Sequence, residues 1–169
     1  ENSGYDKGHL APSAAIDFSR ESNDQTFLMS NVALQHPDLN RQAWGKLERL
    51  VRKWSFTKGK LAIVTGPIFG KRNKRYNKIP IPRFFYKVVY SLAHKRSIAF
   101  VLPNKAVENN ELWNKEHVMS VRALEDFIRQ ANPTSKIQYS FLEALGSDAN
   151  FIKGEVDISF WKDDPGWND

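Results

Sequence analysis

The chain has 169 residues, 41% of them hydrophobic and 26% charged, which fits one globular domain with a real core and argues against disorder. It contains no cysteine, which excludes a disulfide framework, a thiolate metal site and a cysteine nucleophile together. Lys and Arg number 25 against 19 Asp and Glu, and the resulting charge of +6 favours anionic partners without selecting one.

Residues 1–25 read as loop, rich in Gly, Ser, Asn and Asp, with a short apolar patch at 14–16. The apolar run 26–30 is expected as a short buried strand, and 31–37 as loop. Asp38 fits a helix N-cap for a helix over 39–54, whose Ala43, Leu47, Leu50, Val51 and Trp54 share one core-facing stripe. Residues 61–65 form a buried strand that Gly66-Pro67 should stop. A basic loop follows over 71–78, with Lys71, Arg72, Lys74, Arg75 and Lys78. Residues 84–90 and 97–102 predict an antiparallel hairpin. A second amphipathic helix is expected over 115–131, with Val118, Val121, Leu124, Phe127 and Ile128 inward, ending before Pro133. Segment 137–145 is too short to assign, and the acidic, aromatic tail 161–169 is expected to be peripheral. Strands punctuated by two helices give an α+β class, with 1–169 as a single domain. No run nears the roughly 18 apolar residues that cross a bilayer, so no membrane partner is expected.

Of the four histidines, His9 stands out by its company in Asp6-Lys7-Gly8-His9. An aspartate can orient an imidazole, and a lysine can hold a phosphate. That string alone is short enough to recur by chance. On a helical wheel Asn40, Trp44, Glu48 and Arg52 follow one edge, drifting about 40° per step. They admit two readings. One is a polar helix flank with an i,i+4 Glu48–Arg52 pair. The other is an amide oxygen, a carboxylate and a guanidinium converging beside His9, in the sparse oxygen coordination that magnesium accepts. The residues by themselves leave both open. Trp44 reads as a packing residue, Gly66-Pro67 as a turn and His36 as structural; His94 and His117 receive no role. The basic loop, extended by Arg41, Arg49 and Lys53, could track a nucleic-acid backbone.

The order of these motifs is more informative than any one of them. Asp6-Lys7-Gly8-His9-Leu10-Ala11-Pro12 is followed by 26–31, Gln35, Asp38-Leu39-Asn40-Arg41 to Trp44, Leu47-Glu48, Arg52 and then Thr65-Gly66-Pro67-Ile68-Phe69. This series closely resembles the DNA/RNA non-specific endonucleases, a family that includes secreted bacterial nucleases and mitochondrial endonuclease G. The resemblance is clear from about Gly4 to Phe69, weakens through 84–102 and 115–131, and is absent from the last twenty residues. The family motif usually reads Asp-Arg-Gly-His, whereas this chain has Lys7, a point charge in place of a two-point grip on phosphate.

The resemblance implies a ββα-metal nuclease fold, with a central, mostly antiparallel sheet flanked by helices. It also implies magnesium-dependent hydrolysis of DNA and RNA to 5′-phosphate products. Carried over by position, His9 matches the general base. Asn40 matches the direct metal ligand, and Glu48 the carboxylate that holds the metal through water. Arg52 matches an arginine on phosphate, Asp6 and Lys7 open the motif, and Asn31 and Gln35 match polar positions lining the site. An oxygen-only site accepts Mn²⁺ as well as Mg²⁺. The implied partners are double- and single-stranded DNA and RNA, with a homodimer and a proteinaceous inhibitor left open. The implied setting is secreted, periplasmic or organellar after removal of a targeting segment. Five residues precede Asp6, and family members usually carry a sizeable segment there, so the chain is expected to be a trimmed form or one piece of a longer polypeptide. The rival readings are a non-catalytic nucleic-acid- or inhibitor-binding domain of the same descent, and a narrower phosphodiesterase.

Overall fold

The computed structural model describes residues 3–16, 19–133 and 156–162. Its first regular element lies where composition predicts loop. Strand β1, Asp6–His9, pairs antiparallel with β2, Val32–Gln35, in a register running from Asp6↔Gln35 to His9↔Val32. Between them sits α1, Arg20–Gln25, closed at its start by reciprocal Ser19 and Ser22 side-chain bonds to each other's backbone N–H. The strand expected at 26–30 does not form. The N–H groups of Thr26, Phe27 and Leu28 are taken by the carbonyls of Asn23, Asp24 and Gln25, so the backbone's hydrogen bonds are spent locally. Phe27, Leu28 and Met29 are exposed there.

The long helix α2 spans 37–57 in three parts: an α turn Pro37–Leu39, a wider π turn Asn40–Trp44, and the α-helix Gly45–Thr57. It begins two residues earlier than an Asp38 cap suggests. His36 is the cap, its Nδ1 accepting the Asp38 N–H at 3.3 Å, and Pro37 occupies a first position that needs no donor. The whole expected stripe is buried, and Leu39 and Trp44 join it.

The main sheet has the order β3-β6-β7-β8 and is antiparallel throughout. Its strands are β3 (Leu61–Ile68), β6 (Phe84–Ser91), β7 (Arg96–Pro103) and β8 (Val118–Met119). Strand β3 runs through Gly66-Pro67 without stopping, because an edge strand tolerates a proline that a central one would not. The same edge position leaves β3 half-buried, against the expectation of a buried strand. Strands β6 and β7 are continuous apolar runs because both faces are covered. Phe85, Val89, Ile98, Phe100 and Leu102 pack with α2, while Tyr86, Val88, Tyr90, Ala99 and Val101 pack with α3, Val121–Ala131. Helix α3 starts at its Ser120 cap and not at Lys115, since Val118 is committed to β8. The basic segment is a small hairpin: β4 (Arg75–Tyr76) and β5 (Ile79–Pro80) are joined by Asn77 and Lys78, both at positive φ, as a two-residue turn requires. In α4, Ile158–Lys162, Trp161 is fully buried with its ring 4.8 Å from that of Trp54, so this part of the tail is core and not periphery. Segment 137–145 lies outside the described residues. No described helix is long and apolar enough to cross a membrane.

One asparagine ties the two halves together. Asn104 Oδ1 accepts the His36 N–H at 2.7 Å, and its Nδ2 donates to the carbonyls of Leu34 and Pro82, both at 3.0 Å. It thereby fixes the end of β2 and the start of α2 against the β6–β7 hairpin. Asn104→Ala should cost about 1–3 kcal/mol, the scale for stranding buried polar partners. Urea unfolding would measure it, and an unchanged midpoint would contradict this role.

Candidate active site

Asp6, at the start of β1, is clamped by α2. Its Oδ2 accepts from Asn40 Nδ2 at 2.9 Å and from Arg41 Nε at 3.0 Å, and its Oδ1 accepts from Arg41 Nη2 at 2.9 Å. Partial burial pushes the Asp6 carboxyl up, but the bonds from Asn40 and Arg41 outweigh it and hold it below the usual carboxylate range. One expectation is corrected here. Asp6 does not reach the His9 ring, because residues three apart on a strand face opposite sides. Arg41 pairs with Asp6 while its side chain stays largely exposed.

His9 shares the other face of β1 with Lys7, which is exposed. The His9 ring meets the Phe27 ring edge-on at 5.0 Å between centroids. Its Nε2 is buried with no hydrogen-bond partner among the described residues. The other histidines have structural partners: His36 caps α2, His94 packs on Phe160, and His117 Nδ1 lies 3.0 Å from the Glu111 carbonyl.

The Asn40 amide gives its Nδ2 to Asp6, which leaves Oδ1 as the atom with lone pairs to offer. In a straight α-helix Asn40 and Glu48 would stand about 80° apart around the axis. The wider π turn at Asn40–Trp44 under-rotates the chain and brings the two towards one side. The Glu48–Arg52 pair of the polar-flank reading does not close; Glu48 makes no ion pair among the described residues. Burial pushes the Glu48 carboxyl up, against the opposing pull of Lys87 and Arg52. Among the described residues no three His, Asp or Glu side chains converge. An amide oxygen with one carboxylate two turns on suits a hard cation that keeps most of its water.

The polar residues Asn31 and Gln35 are held within the hairpin and its loop. Asn31 Nδ2 donates to the carbonyls of Ala11 and Thr26, both at 2.8 Å, and its Oδ1 accepts the Ala11 N–H at 3.0 Å. Gln35 is fully buried, with its side-chain amide lying over Gly8. A Cβ at Gly8 would sit 2.0 Å from Gln35 Oε1, so only glycine fits between Lys7 and His9. Lys71, Arg72, Lys74 and Arg75 are exposed on or beside the small hairpin.

Sequence reading misses Lys87. It lies on β6 between Phe85 and Val89, on the face that packs against α2, and is 2% exposed. Its Nζ donates to Thr65 Oγ1 at 2.8 Å and sits 4.9 Å from the centre of the Trp44 ring. Burial pushes the ammonium down to about 8, with Glu48 pulling the other way. The available signal is the charge itself, inside an otherwise apolar strand. Keeping it protonated costs the fold on the order of 3 kcal/mol relative to the neutral amine. Lys87 releases its proton more readily in the folded chain than in the unfolded one, so the parent gains stability as pH rises from about 8 towards 10.5. Lys87→Met should therefore melt above the parent at pH 7, with the gap narrowing by pH 10; a flat or widening gap would refute the assignment.

The DNA/RNA non-specific endonuclease family model matches residues 1–140. A nuclease from Nostoc sp. is 36% identical over 147 residues, covering 78% of this chain and 53% of that protein. Mitochondrial endonuclease G of Bos taurus is 36% identical over 121 residues, covering 63% of this chain and 40% of that protein. The chain thus spans about half the length, or less, of these curated relatives. A crystal structure of the EndoG/EndoGI complex superposes with a TM-score of 0.65 at 27% identity, over 75% of this chain and 58% of that one. The polypeptide, with its β1–β2 hairpin set against α2, belongs to the DNA/RNA non-specific endonuclease family.

Proposed function

We propose that this chain carries the catalytic centre of a divalent-metal-dependent endonuclease that hydrolyses DNA and RNA to 5′-phosphate products. The observations that carry the reading are a buried His9 Nε2 without a hydrogen-bond partner on the hairpin, and an Asn40 whose Nδ2 is taken by Asp6 so that Oδ1 is left to accept a cation. His9 takes the proton from the attacking water, the general-base role that imidazole most often fills. Asn40 Oδ1 would bind magnesium, or manganese, and Glu48 would hold its water shell. The bound cation would supply charge neutralisation on the phosphate and its leaving 3′ oxygen. Lys7 and Arg52 offset further phosphate charge. Lysine at position 7 grips less rigidly than arginine, but the charge is kept. Contacts confined to phosphate leave sugar and base unread, which supports cleavage of DNA, single- or double-stranded, and of RNA alike.

The exposed cations of the 71–78 hairpin extend the positive surface for a longer nucleic-acid chain. A relative solved with its inhibitor supports a proteinaceous inhibitor as a partner here, and a homodimer remains part of the reading. Mitochondrial relatives support an organellar setting, and a secreted or periplasmic one is the alternative.

Plasmid and RNA degradation with magnesium, with EDTA and with His9→Ala tests the proposal. Both substrates should be cut, EDTA should stop the reaction, and the variant should lose about 10²–10⁴-fold in kcat. Undiminished cleavage by the variant would remove His9 from the mechanism. No cleavage by the parent would favour a binding domain of nuclease descent.

A further inference from the structure

A cavity of about 390 Å³ opens one residue beyond His9 and runs along the Glu48–Arg52 stretch of α2. Its size lies within the roughly 300–1,000 Å³ range of small-molecule sites. Leu10, Ile16 and Ile63 form an apolar wall, and Glu48, Arg52 and Lys87 contribute its charged groups. The catalytic reading uses Glu48 and Arg52 at one side of this space and leaves Lys87 and the apolar wall without a role.

Lys87 is the reason to expect an anion there. Its ammonium carries three donors, and Thr65 Oγ1 is the one hydrogen-bond acceptor it meets among the described residues. Thr65 and Lys87 are direct partners across the β3–β6 ladder, so the ammonium is held in place. A charge this buried is costly unless something balances it. Two cations against one carboxylate leave a single positive charge, which suits one phosphodiester. Ile63 lies two residues before Thr65 on the same face of β3 and remains exposed, so the apolar wall sits beside the anion position and is itself unfilled.

From these observations the geometry points to a nucleotide subsite in which Lys87 and Arg52 hold the phosphate next to the scissile one, and Leu10, Ile16 and Ile63 receive its base. The inference deepens the nuclease reading and rests on it. The Asn31 side chain, the neutral amide on the rim, is already spent on Ala11 and Thr26. The wall therefore offers surface and no hydrogen-bond code, so the subsite tolerates any base.

Calorimetric titration with thymidine 3′,5′-bisphosphate in EDTA tests this independently of cleavage. Ile63→Glu puts an anion at the exposed wall, and Ala15→Trp fills the mouth from an exposed position; neither disturbs the core. Each should weaken binding at least tenfold with an unchanged melting temperature, and Lys87→Met should weaken it as much while melting above the parent at pH 7. Inorganic phosphate should bind at least tenfold more weakly than the nucleotide. Equal binding by the parent and the two wall variants would overturn the subsite, as would a parent that cleaves nucleic acid yet binds no nucleotide. A parent that binds nucleotide in the cavity but never cleaves would support the subsite and remove the nuclease reading instead.

Discussion

One carboxylate holds the centre together. Asp6 receives three N–H donors from two consecutive residues of α2, and through them a strand of four residues is fixed to a helix. A two-stranded ribbon of this size has marginal stability alone. The clamp and the Asn104 tie give it a fixed place. The clamp also sets chemistry. By taking the Asn40 Nδ2 it decides which end of that amide remains for a ligand, and by anchoring the start of β1 it sets His9 three residues along the strand. The depressed Asp6 titration means this contribution is present above the ordinary carboxylate range and is lost only as pH falls through the lowered value.

Around that clamp the fold accepts local costs. The π turn at Asn40–Trp44 sacrifices regular helix geometry to bring Asn40 and Glu48 towards one side. Lys87 places a charge where the packing of Phe85 and Val89 calls for a hydrophobe. Gly8 gives up a side chain so that the buried Gln35 can lie across β1. Such departures from local consistency concentrate at functional sites. The aromatic core of Trp44, Trp54, Phe85, Phe100 and Trp161 lies on the same face of the sheet and offsets them.

What the sequence shows follows from how each element is stabilised. The α2 stripe is legible because helical periodicity records burial on one face. The β6–β7 hairpin is legible as two apolar runs with a short connection. The β1–β2 hairpin is not, since Asp6, Lys7, Gly8 and His9 carry no alternation and are held by backbone pairing to 32–35 and by the Asp6 clamp. The run 26–30 misleads because apolar content without a partner strand decides nothing. Lys115 looks helical, but the Ser120 cap and the claim of β8 on Val118 start α3 later. Trp161 looks peripheral in an acidic tail, yet its ring is needed against Trp54. At the site, motif order is what leads to the proposal that His9, Asn40 and Glu48 work together. It does not reveal that Asp6 serves Asn40 in place of His9, nor that Lys87 arrives from a strand distant in sequence, because both are tertiary facts.

The central claim is that Asp6 acts through Asn40. A double-mutant cycle on cleavage rate, using Asp6→Ala, Asn40→Ala and the pair, tests it most directly. If the clamp exists to aim the Asn40 amide, each single variant loses activity and the double variant loses little beyond Asn40→Ala. Losses that simply multiply would mean that the two residues serve the reaction separately, and the account of the site would have to be rebuilt from His9 outward.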